Sequence, residues 1–298
     1  MNRFLDGVMI PITYNGLYVR SYHLIMKKKH LLASLLASLT IATALPFSLG
    51  SHFQTQAYAK TTAKKTVISR IQKTPDLNPT SSVRSFSKAT YSQYKSTFNK
   101  EYNVDLMSKP SVFNHHQALV YTASPQLRKY LAVSMKTWNN ALGTTVFKTG
   151  TSTNYTIRVG FGTGGQNGSL WDGLYRTNKL WVNKSHFNSN SYILTVLEAV
   201  SGKKVSKPKT AADKAAYDKY YRGFWEATIT HELGHSLGLD HTPYLDDIMY
   251  AQSGESAGSI KYSWTTSKTG NGSFAGFTNK LSNRDINRAK LTKLLGYW

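Results

Sequence analysis

Large apolar residues recur with element-like spacing from about residue 118 onward. Ala118 to Thr122 reads as a strand. Pro125 then opens a stretch in which Leu127, Tyr130, Leu131, Met135 and Trp138 return at helical intervals until Gly143, which predicts an amphipathic helix. Thr144–Lys148 and Tyr155–Phe161 read as strands, the second with Tyr155, Ile157 and Val159 alternating against Thr156, Arg158 and Gly160. Leu170–Tyr175 and Lys179–Asn183 suggest two more. Ser191–Val200 has helical character, and a long helix is expected from about Ala211 or later to Leu237, with Gly223 able to split it. After a Gly/Ser/Thr-rich stretch over 251–280, Ser282 is placed to cap a last helix through Leu295. Mixed strands and helices in this order predict an α+β domain over 112–298 with a mixed, twisted sheet.

Upstream the pattern differs. Residues 60–111 are rich in Lys, Ser, Thr and Gln, which suggests a basic spacer or propeptide, with a short helix over 91–107 at its end. Before it, Met26-Lys27-Lys28-Lys29 precedes an apolar run from Leu31 to Gly50 and then Ala57-Tyr58-Ala59. A basic start, an apolar centre and an A-x-A exit form a secretory signal. The expectation is cleavage after Ala59, a true start at Met26, and a secreted or wall-associated protein with no stable membrane span afterwards; an uncleaved anchor is the alternative reading.

Composition sharpens the chemistry. The chain of 298 residues has no cysteine, so disulfides, thiolate ligands and a Cys nucleophile are excluded. The formal charge of +22 favours adsorption to anionic polymers, including those of a cell wall, or is a solvated basic surface. No nucleic-acid module is evident. A monomer is expected.

One segment carries specific chemistry: His231-Glu232-Leu233-Gly234-His235-Ser236-Leu237-Gly238-Leu239-Asp240-His241. Residues four apart share a helix face, so His231 and His235 can bind one metal ion from the same side. Glu232 lies beside that ion and can accept a proton from water. Gly238 can take positive φ, end the helix and let His241 approach from outside it. Three ligands leave one position open, as in catalytic zinc sites. Five such fixed positions arise by chance in roughly one in 10⁵ chains of this composition.

This segment, followed by Asp247-Ile248-Met249-Tyr250, resembles the metzincin zinc peptidases, and within them the matrixin branch. The methionine follows the third histidine at short spacing. Thr242 stands after that histidine, and Ala251 stands where astacins and serralysins place a metal-proximal tyrosine. The resemblance implies a zincin-like fold with an active-site helix and a C-terminal helix, one catalytic Zn²⁺ on His231, His235 and His241, and Glu232 as general base in peptide hydrolysis. It also implies Met249 as a floor beneath the metal, Tyr250 in the wall of a substrate pocket, and Asp285 as a tether for the last helix. A plain first-turn acid is an equal reading of Asp285. Matrixins often carry a second zinc and calcium on a loop rich in His and Asp. Here residues 162–181 hold only Asp172, so a second zinc is not expected and calcium is disfavoured. Protein or peptide substrates would lie antiparallel to an edge strand at Lys179–Asn183. Two alternatives remain: a wall-binding protein with a non-catalytic zinc, and a peptidase acting on peptidoglycan peptides. His115, His116 and His186 are assigned to the surface or to strand edges, and Gly160–Gly165 to a loop rather than a dinucleotide site.

Overall fold

The computed structural model describes residues 62–73, 75–105, 110–165, 171–250 and 273–298. The expected signal region and the loop at 251–272 lie outside the described residues. Two compact units divide the chain; one contains Ile71–Trp298, and of the other (residues 17–70) only the helical stretch 62–70 is described. Among the described residues no helix is long and apolar enough to cross a membrane.

The larger unit is α+β. Its sheet has five strands: β1 (Ala118–Thr122), β2 (Phe147–Thr149), β3 (Ile157–Gly162), β4 (Gly173–Arg176) and β5 (Lys179–Asn183). Their order is β2-β1-β3-β5-β4; β4 alone runs antiparallel to its neighbour. The sheet is therefore mixed, as the alternation of elements implies. The strand expected at Thr144–Lys148 begins later, because Val146 and Phe147 are held by the Asn139 side chain at the end of the preceding helix.

One expectation is corrected. Lys179–Asn183 is not the edge strand: β5 lies between β3 and β4, and the edge is β4. A tight turn through Thr177, at φ 65°, folds β4 back on β5 with Tyr175 opposite Leu180.

Among the longer helices, α1 (Pro125–Leu142) is capped by the Ser124 side chain and ended by Gly143 in the left-handed region. The second, α2 (Ala211–Ser236), starts at a capping box between Thr210 and Asp213 and runs unbroken. Gly223 does not split it; a Cβ there would sit 2.1 Å from the Phe277 carbonyl oxygen. That glycine serves a close approach instead of a break. The last helix, α3 (Asn283–Leu294), has a second capping box between Ser282 and Asp285.

The central layer forms where α1 crosses α2. Trp138 is fully buried and donates from its indole N–H to the Thr230 carbonyl at 2.8 Å, and Ser134 donates to the Glu226 carbonyl at 2.8 Å. Both bonds fix the rotation of α2 about its axis, and so the face its histidines present.

The core extends upstream of 112. Ile71, Val83, Tyr91, Phe98 and Tyr102 are all buried, and the Tyr102 hydroxyl donates to the Ile71 carbonyl at 2.6 Å. Residues 71–105 therefore belong to the same compact unit as the sheet. Burying five such side chains contributes on the order of several kcal/mol of hydrophobic stabilisation.

Candidate metal centre

His231 and His235 sit one turn apart near the C-terminal end of α2. The helix ends at Leu237, and Gly238 takes φ 87°. Leu239 N–H donates to the Gly234 carbonyl and Gly238 N–H to the His235 carbonyl, the paired bonds of a Schellman cap. The chain then turns back, and His241 joins the other two. One ligand atom from each of His231, His235 and His241 lies within 4.8 Å of the others. Ring centroids are 4.8 Å apart for His231–His235, 4.9 Å for His235–His241 and 5.2 Å for His231–His241.

The hydrogen bonds fix which nitrogen faces inward. His231 Nδ1 is 2.7 Å from the Ile248 carbonyl and His235 Nδ1 is 2.8 Å from the Leu239 carbonyl. A carbonyl only accepts, so each Nδ1 carries the proton and each Nε2 keeps its lone pair for a metal. Burial drives both rings toward the neutral form, with pKa values depressed to about 3; each also feels a neighbouring imidazole, His235 beside His231 and His241 beside His235. Neutral imidazole is the ligating form. Three nitrogen donors with no thiolate suit a divalent transition ion.

Glu232 directly follows His231 on α2; it is 6 % exposed and lies against β4. Burial raises its carboxyl to about 8; the Asp172 charge adds to the rise, and the Tyr175 backbone N–H opposes it. Gly173 makes the approach possible, because a Cβ there would lie 2.6 Å from Glu232 Oε1 and 2.8 Å from Thr228 Cγ2. Edge strand β4 thus runs directly past the acid.

Met249 is fully buried beneath the helix. A Cβ at Gly234 would come within 2.4 Å of Met249 Sδ and 3.2 Å of Trp138 Cζ2, so the helix needs glycine at this position to sit on that sulfur. The turn carrying Met249 is tied on several sides. Thr242 N–H donates to the Met249 carbonyl at 2.8 Å, and Tyr250 pairs with Thr242 in a short parallel bridge. Asp285 accepts from Ile248 N–H at 2.8 Å and from Met249 N–H at 3.4 Å, while its Oδ2 also accepts from Ser282 N–H at 3.0 Å. The two readings of Asp285 hold together: one carboxylate caps α3 and tethers it to the turn. Burial and the Asp247 charge raise its carboxyl to about 7, against the pull of the Ser282 and Ile248 amides. Asp247 in turn is gripped by Arg284 at 2.6 Å and 2.9 Å and by the Thr242 hydroxyl at 2.7 Å.

Several residues that shape the site carry no local sequence signal. Gly173 and Gly234 touch Glu232 and Met249 across the fold, and no local pattern marks them. His186, expected at the surface or a strand edge, sits three residues past the end of β5, where its Nδ1 is 2.7 Å from Asp172 Oδ1 and its ring stacks on Tyr192 at 3.9 Å. Tyr192 donates to the other Asp172 oxygen at 2.8 Å, so this carboxylate is pinned one residue before Gly173. His115 and His116 lie in a turn, both at positive φ, and His116 Nδ1 is 2.8 Å from the Trp298 carbonyl. Among the described residues, His231, His235 and His241 are the one group arranged to hold a metal. Comparisons with protein-family models, with curated proteins and with solved structures give no match to this chain.

Proposed function

We propose that the chain is a zinc-dependent endopeptidase with a metzincin fold of the matrixin kind, exported and acting on protein or peptide substrates as a monomer. The observation that carries this reading is the convergence of three imidazoles beside a buried carboxylate that is not one of them. A purely structural zinc site is closed by four protein ligands, whereas three leave a position for chemistry. The donor set fits zinc: Zn–N distances of about 2.0–2.1 Å are reachable from nitrogens already within 4.8 Å of one another.

When bound, zinc supplies Lewis acidity toward a carbonyl and makes water more acidic. The rest falls to the chain. His231 and His235, anchored through Nδ1, hold the ion from the helix, and His241 holds it from the loop. Glu232 takes the proton of the attacking water and returns it to the leaving amine nitrogen. Its raised pKa in the metal-free site means that a nearby cation is needed to keep it ionised at neutral pH. Met249 fills the space beneath the ligands, and Tyr250, beside it, lines the substrate pocket. The β4 edge, in place of the β5 edge first expected, offers main-chain groups to an extended peptide.

The test is Glu232→Gln in the purified protein. Zinc content should stay at one per chain while peptide cleavage falls by about 10²–10⁴-fold. Cleavage at the parental rate would remove Glu232 from the reaction. The charge of +22 supports a second site of action, anionic cell-wall polymer and the peptides attached to it; substrate profiling on wall peptides and on casein separates the two.

A further inference from the structure

The third ligand arrives on a loop, and that loop is held by the segment first read as a spacer. Asn103 Nδ2 donates to the His241 carbonyl at 2.7 Å. Asp240 N–H donates to the Asn103 carbonyl at 3.1 Å, and Asp105 N–H donates to the Gly238 carbonyl at 2.8 Å. Val104 and Leu239 form an antiparallel bridge between them. Residues 103–105 are thus a short strand laid along 238–240, the only stretch of chain between the helix end and His241.

A buried arginine locks this pairing from behind. Arg288 on α3 is fully buried; its Nε donates to the Tyr102 carbonyl at 2.8 Å, and its Nη2 donates to the Asn103 carbonyl at 2.5 Å and the Asp240 carbonyl at 2.8 Å. Taking away the segment that ends at Asp105 would remove the Tyr102 and Asn103 carbonyls and leave a buried guanidinium without two of its three carbonyl acceptors, an arrangement that folded proteins avoid. Asn103 also sits at φ 48°, a left-handed position that asparagine tolerates better than most residues, where it closes the preceding helix.

We propose that residues 103–105 are a permanent splint for the third-ligand loop, with Asn103 as a positioning residue for His241, and that the segment from Ile71 to Asp105 therefore stays with the mature protein and is not a removable propeptide. This rests on His231, His235 and His241 being the metal site. The splint acts as an outer-shell partner does: it removes freedom from a ligand before the ion arrives.

The experiment uses the full chain as exported. Zinc affinity is measured by competition with a chromophoric chelator for the parent, for Asn103→Gly and for Asn103→Asp. Glycine keeps the left-handed backbone and deletes only the side-chain bond; aspartate keeps the shape and loses the donor. Both should bind zinc about 10–100-fold more weakly. Their Co²⁺-substituted forms should show altered visible ligand-field bands, a change that a general loss of stability would not produce. N-terminal sequencing of the secreted protein should place its start upstream of Ile71. Parental zinc affinity and Co²⁺ spectra in both variants would overturn the splint, and so would a mature chain that begins beyond Asp105 and still binds zinc with the affinity of the longer form. A parent that binds no zinc defeats the underlying metal site and is a separate failure.

Discussion

The two helical histidines and the loop histidine reach the same point by different physics. His231 and His235 are positioned by the pitch of α2, whose rotation is set by Trp138 and Ser134. His241 has no such scaffold. Its approach depends on a left-handed glycine, a splint from residues 103–105 and a turn anchored by Asp285 and Arg284. The helix supplies rigidity from local order, and the loop supplies it from contacts between segments far apart in the chain. On the proposed function, substitutions around Glu232 that leave the three histidines in place should therefore change chemistry with zinc still bound, while those on the loop side should change how well zinc is held.

Gly173→Ala tests the helical side with the largest expected effect. The new methyl would fall on Glu232 Oε1 and displace the proposed base. A misplacement of about 1 Å can lower turnover on the order of a hundredfold, so kcat on a peptide substrate should fall by that order with zinc content unchanged. Equal loss of zinc would show that helix and loop are not separable.

Next in size is Asp285→Ala on the loop side. It removes the acceptor shared by Ile248, Met249 and Ser282 and uncaps α3. Urea unfolding of the metal-free protein should report a loss of about 2–3 kcal/mol, accompanied by weaker zinc binding. Stability lost without any change in zinc affinity would make the tether purely structural.

Gly234→Ala sharpens the boundary between the two sides, because this glycine is on the helix but faces Met249 on the turn. Overpacking against the sulfur should destabilise by about 1–3 kcal/mol, read as a lower thermal midpoint with Met249→Ala as the relieving second change. Absence of relief would place the clash elsewhere, against Trp138.

The smallest effect is in protons. His231 and His235, depressed from 6.5 to about 3, are already neutral at pH 7, so binding a metal there displaces no proton from them. Glu232, raised to about 8, holds its proton at pH 7 and should give it up when a cation arrives. Calorimetry in buffers of different ionisation enthalpy should find up to about one proton released from Glu232 at pH 7, fading above pH 8 and absent in Glu232→Gln. For the metal-free fold, the contribution of the two neutral histidines is full above pH 6.5 and is lost as pH falls toward 3. Acid unfolding that does not shift in His231→Gln would contradict their depressed pKa values.

The ligand set was legible because its information is short-range: four residues make a helical turn, and Gly238 marks where the helix stops. The helix limits at Gly143 and Ser282 were open to reading for the same reason, whereas the Thr210 cap was not singled out. Strand order was not. β4 and β5 have similar lengths and apolar content, and only their pairing shows which one faces outward. The N-terminal segment was hidden by composition, since its Lys, Ser and Thr outnumber the buried Tyr91, Phe98 and Tyr102 that decide its fate. Gly173, Gly234 and Gly223 carry no side chain to interpret; each is explained by a partner between 15 and 59 residues away.

The central claim, one divalent ion on three imidazoles, is tested most directly by X-ray absorption at the zinc edge on the purified protein. Three nitrogen ligands with imidazole scattering at about 2.0 Å, plus one lighter oxygen neighbour, is the expected result, with loss of one imidazole contribution in His241→Ala. A protein that takes up no zinc, or a zinc environment unchanged by that substitution, would contradict it.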